Sequence, residues 1–213
     1  MPGTAKEIRH IEQQFLQANW EVRTFLNTDA TEDNIKKLSG TQSPSILHLA
    51  THGYFFAPLK KQQKKTRTLK DRIRTANNPL IRSGLVFTGV NHTWKGGGRI
   101  PNLDDGVLTA YEISNLNLLN THLVILSACE TGLGDIYDTE GVFGLQRAFK
   151  MAGVQQLITS LWKIPDLQTQ ELMTTFYQFY LQSNDAADAL HQAQLAMSST
   201  YRPFYWAGFI LAK

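Results

Sequence analysis

Short, nearly continuous apolar runs recur along this chain: SILHLAT at 45–51, SGLVFTGV at 83–90, HLVILSAC at 122–129 and VQQLITSLW at 154–162. Runs of this length, bounded by turn residues, predict strands buried on both faces. Between them lie segments with helical periodicity. The first, at 5–19, repeats through Ile8, Ile11, Phe15 and Leu16, and others fall at 31–38, near 108–116, at 141–152, 166–182 and 186–199. Gly153 is placed to cap the helix at 141–152. A short strand is expected at 21–27, and YWAGFILA at 205–212 reads as the last strand. Strands alternating with helices predict a mostly parallel central sheet with helices on both faces, a three-layer α/β/α sandwich. At 213 residues, a single domain over 1–213 is expected.

Composition removes several function classes. No apolar run approaches the ~20 residues needed to cross a bilayer, and MPGTAKEIRHIEQQF reads as an amphipathic helix with Pro2 at its front, not as a leader, so the expected location is the cytoplasm. Cys129 is the single cysteine, which excludes an intrachain disulfide and a thiolate zinc cluster. His10, His92, His122 and His191 have no acidic or cysteine partner at ligand spacing, so a metal site is not expected, and the absence of a P-loop motif excludes that mode of phosphate binding. Residues 60–74, KKQQKKTRTLKDRIR, hold eight Lys or Arg against Asp71, a local charge of +7 in a chain whose net charge is +3. One such stretch reads as a basic loop insertion over about 57–80. It does not spread over a fold surface with stacking aromatics between the charges, so direct nucleic-acid binding is not expected.

In open α/β sheets, sites form at the carboxyl ends of strands. His52 follows one apolar run and Cys129 ends another, so adjacent parallel strands would bring an imidazole beside a thiol. A free thiol is only a few per cent thiolate near neutral pH, and a histidine that takes its proton is the usual activator. The Gly53 and Cys129 amides could then hold the oxyanion of a tetrahedral intermediate. The plain alternative is a buried cysteine and a turn histidine, with glycines that serve ordinary turns. His48, inside its strand, fits a core or edge position, and Trp162, Tyr205 and Trp206 fit the core.

HLATHG at 48–53, SGLVFTG at 83–89, DDGVLTAYEI at 104–113 and VILSACETGLG at 124–134 resemble CHAT domains, members of the clan of caspases and separase. The resemblance continues through 140–166 and YWAGFIL at 205–211. It implies a caspase-like fold, a cysteine peptidase acting on protein substrates, His52 as general base and Cys129 as nucleophile, and no cofactor. It also implies an upstream tetratricopeptide-repeat region or a regulatory protein as partner.

LWKIPD, ending at Asp166, resembles the corresponding segment of separase, by which Asp166 would line a pocket for a basic residue at the position preceding the cleaved bond (P1). Asp166 equally fits a helix N-cap. Asp135 and Asp138, after Cys129, are the second choice for a substrate-facing acid. The rival from another class is a scaffold of the same fold without turnover, its basic loop docking an acidic partner.

Overall fold

The computed structural model describes residues 2–57, 68–97, 104–127 and 139–213. Two sheets form. The first orders its strands β1 (Ile46–Leu49), β5 (Leu123–Leu126), β6 (Gln156–Ser160) and β7 (Phe209–Ala212), with the first three parallel and β7 antiparallel to β6. The second orders β2 (His52–Phe55), β3 (Ser83–Val86) and β4 (Val107–Thr109) as an antiparallel ladder. The mainly parallel central sheet agrees with expectation. The antiparallel second sheet was not legible in the periodicity.

The layers follow from alternation along β5. Leu123 and Ile125 pack with Ile11 and Phe15 of α1 (Pro2–Gln17) and with the buried stripes of α7 (Asp166–Ser183) and α8 (Ala186–Ser198). Val124 and Leu126 face the opposite core, with Ile35 of α2 (Glu32–Lys36), Ile113 of α5 (Ala110–Ile113) and Leu145, Ala148 and Phe149 of α6 (Thr139–Met151). All four β5 side chains are almost fully buried, each contributing about 1.5–3 kcal/mol from burial. This makes β5 the rigid spine of the molecule. Gly153, with φ +100°, ends α6 as expected: the Val154 N–H reaches back to Phe149 O at 3.0 Å.

Four expectations need correction. Residues 21–26 are not a strand: they enter no ladder, and the chain turns away at Asn27, whose φ is +51°. Thr88 instead hydrogen-bonds from its N–H and hydroxyl to Ala30 O and Asn27 O. His52 and Gly53 are not a turn but the first two residues of β2. Of the expected 57–80 loop, residues 58–67 lie outside the described residues, and the described part is not a plain loop, because Thr68 and Asp71 form a capping box that starts α3 (Leu69–Thr75) and Ile73 buries its apolar face. The helix expected near 108–116 begins as β4 and becomes α5 only at Ala110, after a second capping box between Thr109 and Glu112. After β3, Gly89, with φ +103°, leads into α4 (Val90–Trp94).

Gly84 sets the spacing inside the second sheet. A Cβ there would lie 2.4 Å from Leu108 O and 2.8 Å from Thr109 Cα, both backbone atoms that cannot rotate away. Gly84→Ala is therefore expected to cost about 3 kcal/mol, the upper range for overpacking. Urea denaturation checks this, and an unchanged midpoint would contradict the close approach of β3 to β4.

Candidate active site

β1 and β5 are parallel neighbours in register, with Leu49 opposite Leu126. His52 lies three residues beyond Leu49, and Cys129 three residues beyond Leu126 in the sequence. β6 continues the same edge with Thr159 opposite Leu126, and Asp166 follows as the first residue of α7. The described parts of the candidate site thus converge on the carboxyl edge of the central sheet. Cys129, Asp135 and Asp138 lie outside the described residues.

His52 is placed where the chain leaves β1 and crosses to the second sheet. It pairs with Val86 across the β2–β3 ladder, and the Thr51 hydroxyl donates to Val86 O, anchoring the crossing. The His52 ring is half-buried, and its Nδ1 is buried without a hydrogen-bond partner among the described residues. Burial lowers the His52 pKa below its usual value, with Lys163 acting in the same direction and Asp166 opposing it. A depressed pKa keeps the imidazole neutral, the state in which it can accept a proton.

Gly53 follows from ladder geometry. The Phe56 N–H donates to Arg82 O at 2.8 Å, so Phe56 and Arg82 form a hydrogen-bonded pair. Such pairs alternate along an antiparallel ladder, which makes His52/Val86 hydrogen-bonded and Gly53/Leu85 not. The Gly53 amide therefore points away from β3, off the edge of β2 that pairs with no strand among the described residues. A Cβ at Gly53 would meet only Gly84 O at 3.8 Å, an ordinary contact, so it is the direction of the amide and not backbone strain that matters here.

Asp166 is exposed. The N-cap of α7 is Pro165, one residue earlier, and no side chain caps the helix, so the N-cap assignment for Asp166 is not what the helix uses. Trp162 and Trp206 pack against the α1/α7/α8 core, as expected of aromatics at strand ends; Trp162 also stacks on Phe204.

His48 takes the core position expected of it, but its partners, and a second polar cluster, escaped the sequence reading. His48 is buried on β1, its ring nitrogens 3.0 Å from Glu7 Oε1 and 3.1 Å from the Tyr177 hydroxyl, a core histidine that ties α1 and α7 to the sheet. Glu32, 2% exposed, accepts from the Gly106 and Val107 amides at 2.9 and 3.1 Å and pairs with Lys36 at 2.5 Å. Lys36 also reaches Asp104 and Glu112. Val107 opposes Val86, which opposes His52, so this cluster fixes the far side of the sheet that carries His52. The Glu32–Lys36 spacing of four was the available sequence signal. Among the described residues no cluster of three or more His, Cys, Asp or Glu could hold a metal, and no helix is long and apolar enough to cross a membrane.

The CHAT domain family model matches residues 1–213. Two curated proteins are similar over part of the chain: tetratricopeptide repeat protein 28 of Homo sapiens and its counterpart in Mus musculus. Each is 32% identical over 114 residues, 52% of this chain. The match spans only 4% of the human relative's length and 5% of the mouse relative's.

Proposed function

From a chain that belongs to the CHAT domain family and carries its caspase-like fold, we propose a cysteine endopeptidase. The observation that carries the reading is the register of β1 against β5: His52 and Cys129 occupy equivalent offsets beyond the paired residues Leu49 and Leu126. In this mechanism His52 takes the Cys129 proton and the thiolate attacks the scissile carbonyl carbon. The Gly53 and Cys129 amides hold the oxyanion, a stabilisation worth about 3–4 kcal/mol per donor in comparable sites. The tetrahedral intermediate collapses, the leaving amine departs with a proton from the imidazolium, and water assisted by His52 hydrolyses the thioester. Gly53 supports the oxyanion assignment because its amide is not spent on the ladder.

Asp166 is the acid of a P1 pocket that prefers Arg or Lys, with Asp135 as the alternative acid. The exposed position of Asp166 at the catalytic edge and its electrostatic effect on His52 support this assignment. The enzyme acts on protein substrates in the cytoplasm, under an upstream repeat region or a regulatory protein.

A peptide library varied at P1 tests the pocket. Asp166→Ala is expected to lower kcat/KM for Arg and Lys substrates at least ~10-fold while sparing neutral ones. Equal loss across the library would remove Asp166 from the pocket. Because the Asp166 charge raises the His52 pKa, Asp166→Asn should also move the acid limb of kcat/KM to lower pH. An unmoved limb would place the carboxylate too far from His52 to matter.

A further inference from the structure

Over the second sheet lies a layer of cations that form no ion pair among the described residues. α3 packs against α4 over β2, and Lys70, Arg72 and Arg74 project from it. Lys70 Nζ lies 5.2 Å from the centre of the Trp94 ring, and the Arg74 guanidinium 5.9 Å from that of Phe56. Beneath them Arg82 is only 7% exposed: one nitrogen, Nη1, donates to Ala76 O at 3.1 Å, while its Nε is buried with no partner among the described residues. None of these four cations has a carboxylate partner among the described residues. Of the nearby acids, Asp71 accepts from Thr68 in the capping box, Asp105 accepts from the Val107 amide, and Glu32, Asp104 and Glu112 are engaged by Lys36.

A buried guanidinium nitrogen without an acceptor is costly, and its neutralisation by an incoming anion would be rewarded. Seating on aromatic faces restricts Lys70 and Arg74, which lowers the entropy lost when an anion binds them. We propose that this face docks an acidic stretch of polypeptide. The floor argues against single-stranded nucleic acid, because Tyr54 and Phe56 are each 4% exposed and the half-buried Trp94 ring already carries Lys70, which leaves a poor stacking platform for bases. Phe56 lies four residues along β2 from His52, about 13 Å at strand rise. A substrate chain seated at His52 and running along β2 reaches Arg74 and Arg82 within roughly that distance, so the acidic stretch belongs to the substrate itself, near the cleaved bond. That role rests on the peptidase reading; the docking of an acidic segment does not.

The test uses the full chain with Cys129→Ala, so that nothing is cleaved, and a fluorescein-labelled peptide holding six consecutive Glu between Gly-Ser flanks. Anisotropy should report binding that weakens with added salt. It should fall at least ~10-fold for the matching Gln peptide and for a K70S/R74S variant, with Arg74→Glu alone used if the double variant loses its fold. The proposal is overturned if no binding is seen, if Glu and Gln peptides bind alike, if the cation variant binds as tightly as its parent, or if a single-stranded oligonucleotide of equal charge binds more tightly. Appending the same acidic run to a cleavable peptide should raise kcat/KM with the wild-type chain, and an unchanged kcat/KM would overturn the substrate role. Failure to cleave any peptide would remove the peptidase reading and leave the anisotropy result standing.

Discussion

Cys129→Ala and His52→Ala are each expected to reduce peptide cleavage by on the order of 1,000-fold or more, with the fold retained. Removing the thiol deletes the nucleophile. Removing the imidazole leaves the thiol to ionise unaided, a few per cent at neutral pH. The histidine substitution should disturb the fold little, because His52 is half-buried at the start of an edge strand and its buried Nδ1 makes no hydrogen bond among the described residues that truncation could break. About 1 kcal/mol of stability is at stake. Initial rates together with a thermal melt on each purified variant separate the two effects. Cleavage retained by either folded variant would rule out the dyad.

Glu32→Ala is expected to be the most destabilising polar substitution described, at about 3–4 kcal/mol. It strands the Gly106 and Val107 amides without their acceptor and removes the nearest partner of Lys36. Glu32→Gln keeps an acceptor oxygen and should lose less. Burial raises the Glu32 pKa from 4.5 to about 7, although Lys36 draws it back. Burial alone would lower the Lys36 pKa, yet hydrogen bonds to Glu32 and Asp104 raise it overall. The folded state therefore holds the Glu32 proton that the unfolded chain releases between about pH 4.5 and 7. The Glu32 contribution to stability is largest below that window and declines as pH rises through it. Wild type should exceed Glu32→Gln by more at pH 5 than at pH 8 in urea denaturation. A difference independent of pH would mean that Glu32 keeps one charge state throughout.

The central sheet was readable because its strands are buried on both faces: Leu123, Val124, Ile125 and Leu126 leave no ambiguity. The second sheet was harder. β2 opens on His52 and Gly53, residues that look like a turn, and takes its strand character from pairing with β3, a contact 30 residues distant in sequence that no local period reports. Helix α3 was hidden by its charges, though Thr68 and Asp71 stand at the spacing of a capping box. On α1 the buried stripe is Glu7, Ile11 and Phe15, while Leu16 is 56% exposed. An apolar-period reading passes over Glu7, because a carboxylate sits comfortably in that stripe only with His48 across from it. At the candidate site, the sequence order alone put His52 after β1 and Asp166 after β6, although His52 itself opens β2. The free direction of the Gly53 amide was not legible, since it depends on which pairs of the β2–β3 ladder are hydrogen-bonded.

The most direct measurement is covalent labelling with a peptidyl acyloxymethyl ketone carrying Arg at P1, followed by mass spectrometry of the modified chain. Because Cys129 is the chain's single cysteine, the mechanism predicts one adduct, a thioether at Cys129. It should form much more slowly in His52→Ala and be suppressed by a competing substrate peptide. A folded protein that takes no label, or one labelled equally fast with and without His52, would contradict the His52–Cys129 mechanism.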